Sequence, residues 1–134
     1  MSTPKGLSLT DLDATLASAS AFEFEYEVNG SPTGVFFSVL GSQAEEVVRE
    51  LSQLVNTRRR KEAARSMKGK NAEIETFESD LESGARLAAI RLVGWRGIVE
   101  PFSRENALIL CQSNPDIAAR IIEQSDMMGN FIKL

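Results

Sequence analysis

Between Phe22 and Val28 the chain alternates strictly, with Phe22, Phe24, Tyr26 and Val28 on one side and Glu23, Glu25 and Glu27 on the other. A period of two is that of a half-buried strand, because successive side chains of a strand point to opposite faces. The NGSPTG stretch that follows holds Asn29, Gly30, Pro32 and Gly34, residues that supply positive φ or fix φ for a turn. VFFSVL then offers a second β-rich run, so the spacing predicts a β-hairpin over 22–40.

Past Gly41 the period changes. With Ser42 as N-cap, apolar residues fall at Ala44, Val47, Val48, Leu51, Leu54 and Val55, spacings of three and four that draw one stripe on a long helix over 42–66. The stripe is expected to pack on the hairpin. Beyond Val55 the chain runs on as TRRRKEAARSMKGK, helix-compatible but without an apolar face, and is expected to project into solvent.

A further helix is predicted over 72–93, acidic at first, with Ile74, Phe77 and Leu81 at helical spacing, and ending as ARLAAIRLV, apolar on more than one side and so expected to be well buried. Gly94 and Gly97 flank Trp95 in a break. Ser103 then stands as N-cap of a short helix over 104–112, and Asn114-Pro115 opens another over 115–128, Pro being pre-organised for the first helical position. That last helix turns Ile117, Ile121, Ile122 and Met128 inward before Gly129 ends it. Residues 1–20 are small and hydroxylated, with Leu7, Leu9, Leu12 and Leu16 as their apolar spacing, and read as a mobile start leading into a weak helical turn. The expectation is an α+β chain: a mostly helical single domain over 21–134 with one N-terminal β-hairpin.

Composition supports folding, since 43% hydrophobic and 25% charged residues are ordinary globular usage. The single cysteine, Cys111, fits a reducing compartment; the N-terminal residues lack the plan of a secretory signal, and no apolar run nears the roughly 20 residues that cross a bilayer. A cytoplasmic location and no membrane partner are therefore expected. Histidine is absent, which removes the commonest general base and the usual zinc ligand. Neither glycine-rich phosphate pattern occurs, and Cys111 sits in an apolar neighbourhood that blunts a thiol. Catalytic, metal and cofactor sites are all expected to be lacking, and the protein is expected not to be an enzyme.

Charge is segregated. Residues 1–40 carry −4, 41–70 carry +4, 71–93 carry −3 and the rest −1, for a total of −4. The basic run Arg58, Arg59, Arg60, Lys61, Arg65, Lys68 and Lys70 could be a solvated helix or mobile loop, a surface for an acidic protein partner, or a phosphate-binding strip. No aromatic residue is interleaved for base stacking, and Glu62 stands four residues after Arg58, which ranks nucleic acid last. Glu73, Glu75, Glu78, Asp80 and Glu82 read as a solvated helix face rather than a cation site, and Glu23, Glu25 and Glu27 as the wet face of a strand. Trp95 either fills the core under the last two helices or anchors an interface.

The segment from Arg91 to Ser125 resembles the C-terminal part of tail assembly chaperones of long-tailed phages. In that family an apolar helix runs into a Trp, and after a short turn a proline-aromatic-Ser/Thr unit leads to Glu-Asn and two short helices. The matching positions here are Trp95, Ile98, Pro101, Phe102, Ser103, Glu105, Asn106, Leu110, Pro115 and Ile121. Many relatives carry Asp and then Gly between the Trp and the proline, where this chain has only RGIVE. The resemblance implies a protein of the host bacterial cytoplasm, absent from the mature virion, that binds the tape measure protein, keeps it soluble and helps recruit tail tube (major tail) subunits. Such a protein needs an apolar groove with a charged rim, because a tape measure exposes helical apolar stripes. Trp95, Phe102, Arg58, Arg59, Arg60, Lys61 and Arg65 are the candidate partner-binding residues, and homo-oligomerisation is left open. The rival readings are a structural minor tail or tail-completion protein and, behind it, a small nucleic-acid-binding regulator.

Overall fold

The computed structural model describes residues 6–65 and 84–132. Among them the elements run α1 (Ala14–Ser18), β1 (Phe22–Val28), β2 (Ser31–Val39), α2 (Glu45–Arg65), α3 (84–91), β3 (Leu92–Arg96), α4 (Arg104–Ser113), α5 (Pro115–Asp126) and a closing 3-10 turn, Met128–Asn130. The fold is α+β. The predicted hairpin is two strands of a three-stranded antiparallel sheet ordered β1-β2-β3, and a helix precedes it.

The turn between β1 and β2 is tighter than NGSPTG suggested. Asn29 at φ 53° and Gly30 at φ 78° make a two-residue hairpin turn, and the strand resumes at Ser31. Gly34, also at positive φ, belongs to an irregularity in β2, where pairing slips between Glu25 and Glu27. There Thr33 donates its hydroxyl to Tyr26 O and the Gly34 N–H donates to a Glu25 carboxylate oxygen. Pro32 is tolerated because β3 pairs only with Phe36 to Val39, leaving the start of β2 exposed.

The helix predicted over 72–93 ends two residues early, and its first part lies outside the described residues. Leu92 and Val93 open β3, whose LVGWR sequence pairs with β2 through Phe37 opposite Trp95 and Ser38 opposite Gly94. Five residues with a glycine at the centre are too few for a local period to outvote the helical run before them. On the wet face Arg96 sits 3.8 Å over the Phe36 ring and forms a two-pronged ion pair with Glu23, which draws the Glu23 pKa below the ordinary carboxylate value.

On its other face the sheet gives Phe37 and Val39 to the main core, together with Ala85, Ala88 and Leu92 from the α3–β3 stretch, Ala107 and Cys111 from α4, and Ile117 and Ile121 from α5. Small residues on α3 and α4 let these helices close in around the large Phe37. The stripe of α2 therefore does not cover the hairpin, whose apolar face is already taken. Ala44 and Val47 instead pack with Leu40 in a second small cluster against Leu51 and Ile90. Val48 and Val55, predicted inward, are 46% and 44% exposed.

The two clusters meet at residues 40–42, a crossing tied by backbone. Leu40 N–H donates to Arg91 O, Gly41 N–H to Ser18 O and Ser42 N–H to Ser125 O, each at 2.9 Å. Ser42 is thus held by α5 and does not cap α2, whose first intrahelical bond runs from Val48 N–H to Ala44 O. Ser18 is fully buried, docking α1, while Leu7, Leu9, Leu12 and Leu16 are exposed, and the expected weak helical turn is α1 with Asp13 as its N-cap. Ser103 caps α4 and Pro115 opens α5 as predicted. The last helix stops at Asp126 rather than Met128, and Gly129 lies inside the 3-10 turn.

Candidate functional site

Along α2 the residues Glu46, Arg49, Glu50, Gln53, Leu54, Thr57, Arg58 and Lys61 recur every three or four positions, so they share one helix face. This face looks across a groove of about 820 Å³ toward Arg86, Ala89 and Ile90 of α3 and Arg104 and Leu108 of α4. Among the described residues its aliphatic lining comes from Leu54, Ala89, Ile90 and Leu108, and its charged lining from Arg49, Arg58, Lys61, Arg86, Arg104, Glu46 and Glu50.

Arg104 is the best-anchored member of the rim. It follows the Ser103 N-cap at the start of α4, and its Nη1 donates to Ala89 O at 3.2 Å and Leu92 O at 2.8 Å, satisfying carbonyls where α3 gives way to β3. The same guanidinium stands 6.0 Å from the Phe102 ring centroid. Phe102 in turn meets Trp95 edge-on at 5.1 Å, and the Trp95 Nε1–H donates to Glu100 O at 2.9 Å, folding the 97–102 turn back on the ring. Trp95 is half-buried at the edge of the core rather than deep beneath α4 and α5. Nearby Val99 is almost wholly exposed at 97%.

The described part of the basic run is spread around α2. Arg58 and Lys61 line the groove, with Arg58 ion-paired to Glu62 at 3.2 Å. Arg59 borders a shallower hollow of about 350 Å³ on another face of α2, with Val48, Leu51 and Val55. Arg60 is exposed, and Arg65 ends α2 with its side chain outside the described residues, as are Lys68, Lys70 and the acidic cluster from Glu73 to Glu82. Arg104 links the two sets of candidates, since it lines the groove beside Arg58 and Lys61 and touches the Trp95–Phe102 pair through Phe102. The contributions of Arg49, Arg86 and Arg104 were not foreseen. They come from three segments that only the tertiary fold brings together, although Arg49 shares a helix face with Arg58 and Lys61 and could have been placed with them.

Among the described residues no three His, Cys, Asp or Glu side chains gather as a metal site. Burial pushes the Cys111 thiol up to about 11, so it is a poor nucleophile at neutral pH. No described helix is long and apolar enough to cross a membrane. Comparison with protein-family models, with curated proteins and with solved structures gives no match.

Proposed function

We propose that this chain is a phage tail assembly chaperone that holds the tape measure protein in solution and helps bring tail tube subunits to it. The observation that carries the reading is the groove between α2, α3 and α4, whose aliphatic floor and charged rim suit reversible cover for an apolar helical stripe. A floor of Leu54, Ile90 and Leu108 supplies a driving force roughly proportional to the apolar area removed from water. The rim keeps the empty groove wetted, so the carrier itself does not aggregate. The resemblance of Arg91 to Ser125 to such chaperones is independent support, because that segment supplies the Trp95 turn and the Arg104 side of the groove. On this reading the protein acts in the host cytoplasm and leaves before the virion is complete.

Co-expression with the cognate tape measure protein tests it. The tape measure should stay in the soluble fraction only when this chain is present, and equal precipitation with and without it defeats the proposal. Mass spectrometry of purified virions separates the minor tail protein alternative, which requires stoichiometric presence in the particle.

A further inference from the structure

We propose that α2 carries a docking seam for a second copy of this chain, the two α2 helices lying antiparallel across a two-fold axis at Ser52. The seam is independent of what fills the groove, which lies on another side of α2.

Spacing defines it. Glu45, Val48, Ser52, Val55 and Arg59 follow one another at steps of three, four, three and four, the rhythm that keeps residues of one helix facing a second helix. All five are exposed, and Val48 and Val55 stay so although Ala44 and Val47 of the same stretch are buried. Ser52 spends its hydroxyl inside the helix, donating to Val48 O at 2.9 Å, so the middle of the seam is small and brings no unsatisfied donor. Val48, Leu51 and Val55 border the hollow of about 350 Å³ in which a valine of the second copy can seat as a knob.

Charge commits the seam to its own copy and fixes the direction. Glu45 and Arg59 stand seven residues, two helical turns, on either side of Ser52. With the helices antiparallel and the axis at Ser52, each Glu45 meets the Arg59 of the other copy, and each Val48 meets the other Val55. A parallel pairing sets Glu45 on Glu45 and Arg59 on Arg59, which like-charge repulsion opposes. Neither Glu45 nor Arg59 has an ion pair among the described residues, so both are open to a partner. Arg58, held by Glu62, takes no part. Any apolar helix could cover the valines, but both ends are satisfied only by a helix with a base and an acid in the reverse order at this separation. α2 turned end for end is that helix.

One helix pair about 21 Å long is a small interface, so the dimer is expected to be micromolar or weaker. Sedimentation equilibrium of the full chain, from about 5 to about 500 µM in about 50 mM salt, should show the mass rise from one chain toward two. Val55→Asp should hold the chain monomeric. Glu45→Arg and Arg59→Glu each bring like charges together at two symmetric places, and each should loosen the dimer by about tenfold. The double variant Glu45→Arg/Arg59→Glu reverses both pairs and should restore native association. Circular dichroism confirms that each variant is folded, and if Val55→Asp is not, the charge reversals decide alone. A chain that stays monomeric throughout, a dimer that survives Val55→Asp, a single reversal without effect, or a double variant as weak as the singles overturns the proposal.

Discussion

The hydroxyl of Ser125 donates to the carbonyl oxygen of Leu40 at 2.8 Å, across 85 residues of chain, and both residues are buried. Ser125 also accepts the Ser42 N–H through its own carbonyl, so one residue near the end of α5 closes two sides of the crossing. Ser125→Ala leaves the Leu40 carbonyl without its hydroxyl donor inside the fold, and should cost about 1–3 kcal/mol. Urea denaturation should show a lower midpoint at unchanged slope. A midpoint equal to wild type would mean the bond contributes nothing.

Gly41 is packed to the limit against α1. A Cβ there would lie 2.3 Å from Ser18 Oγ and 2.9 Å from Ser18 Cα, and the second contact is with backbone, which side-chain rotation cannot relieve. Gly41→Ala should therefore destabilise by about 1–3 kcal/mol through overpacking. Ser18→Gly in the same chain should recover only part of it. A Tm for Gly41→Ala matching the wild type would show that α1 moves aside freely.

Gly97 faces two obstacles at once. It sits at φ 87°, and an added Cβ would lie 2.1 Å from Gly34 O, so the turn after β3 approaches the irregular start of β2 too closely for any side chain. Gly97→Ala should unpair the end of β3, seen as faster amide exchange at Trp95 and Arg96 and a red-shifted Trp95 emission. Unchanged spectra would contradict the close approach.

These tight spots mark where reading the sequence stops. The alternation of Phe22 to Val28, the Ser103 and Pro115 helix starts and the insulation of Cys111 were legible because each depends on neighbours in sequence. β3 was not, because LVGWR becomes a strand only by finding β2, more than fifty residues earlier. Nor was the true partner of α2. Its stripe says that one face is apolar, but not that Ile90 would take Val47 while α5 occupied the hairpin. The groove suffered the same way, its cations being split among Arg49, Arg86 and Arg104 on separate segments.

Arg91 offers a prediction of a different sign. Its guanidinium is buried, donating from Nη1 to Leu87 O and lying 3.6 Å from Asp126, but Nε has no hydrogen-bond partner among the described residues, and burial pushes its pKa down. A charge buried this incompletely satisfied adds little net stability over an apolar chain of similar length. Arg91→Met should change the unfolding free energy by less than about 1 kcal/mol or raise it. A loss well above that would assign the Arg91–Asp126 pair a structural role.

Cys111 should be silent until the fold opens. Its thiol holds its proton to about pH 11 when folded and loses it nearer the ordinary value when unfolded. Between those values the unfolded state binds fewer protons, so this group's contribution to stability is intact below about pH 9 and declines as pH rises toward about 11. Iodoacetamide at pH 8 should label native protein far more slowly than protein in guanidinium. Comparable rates would place the thiol at the surface.

The knot at Leu40, Gly41 and Ser42 ties threads from the beginning, middle and end of the described chain, since Ser18, Arg91 and Ser125 each accept one of its three amide protons. Loosening any one of those threads bares the others to solvent. The three protons should accordingly be among the last to swap for deuterium, and should do so in step, at the rate at which the entire molecule comes undone.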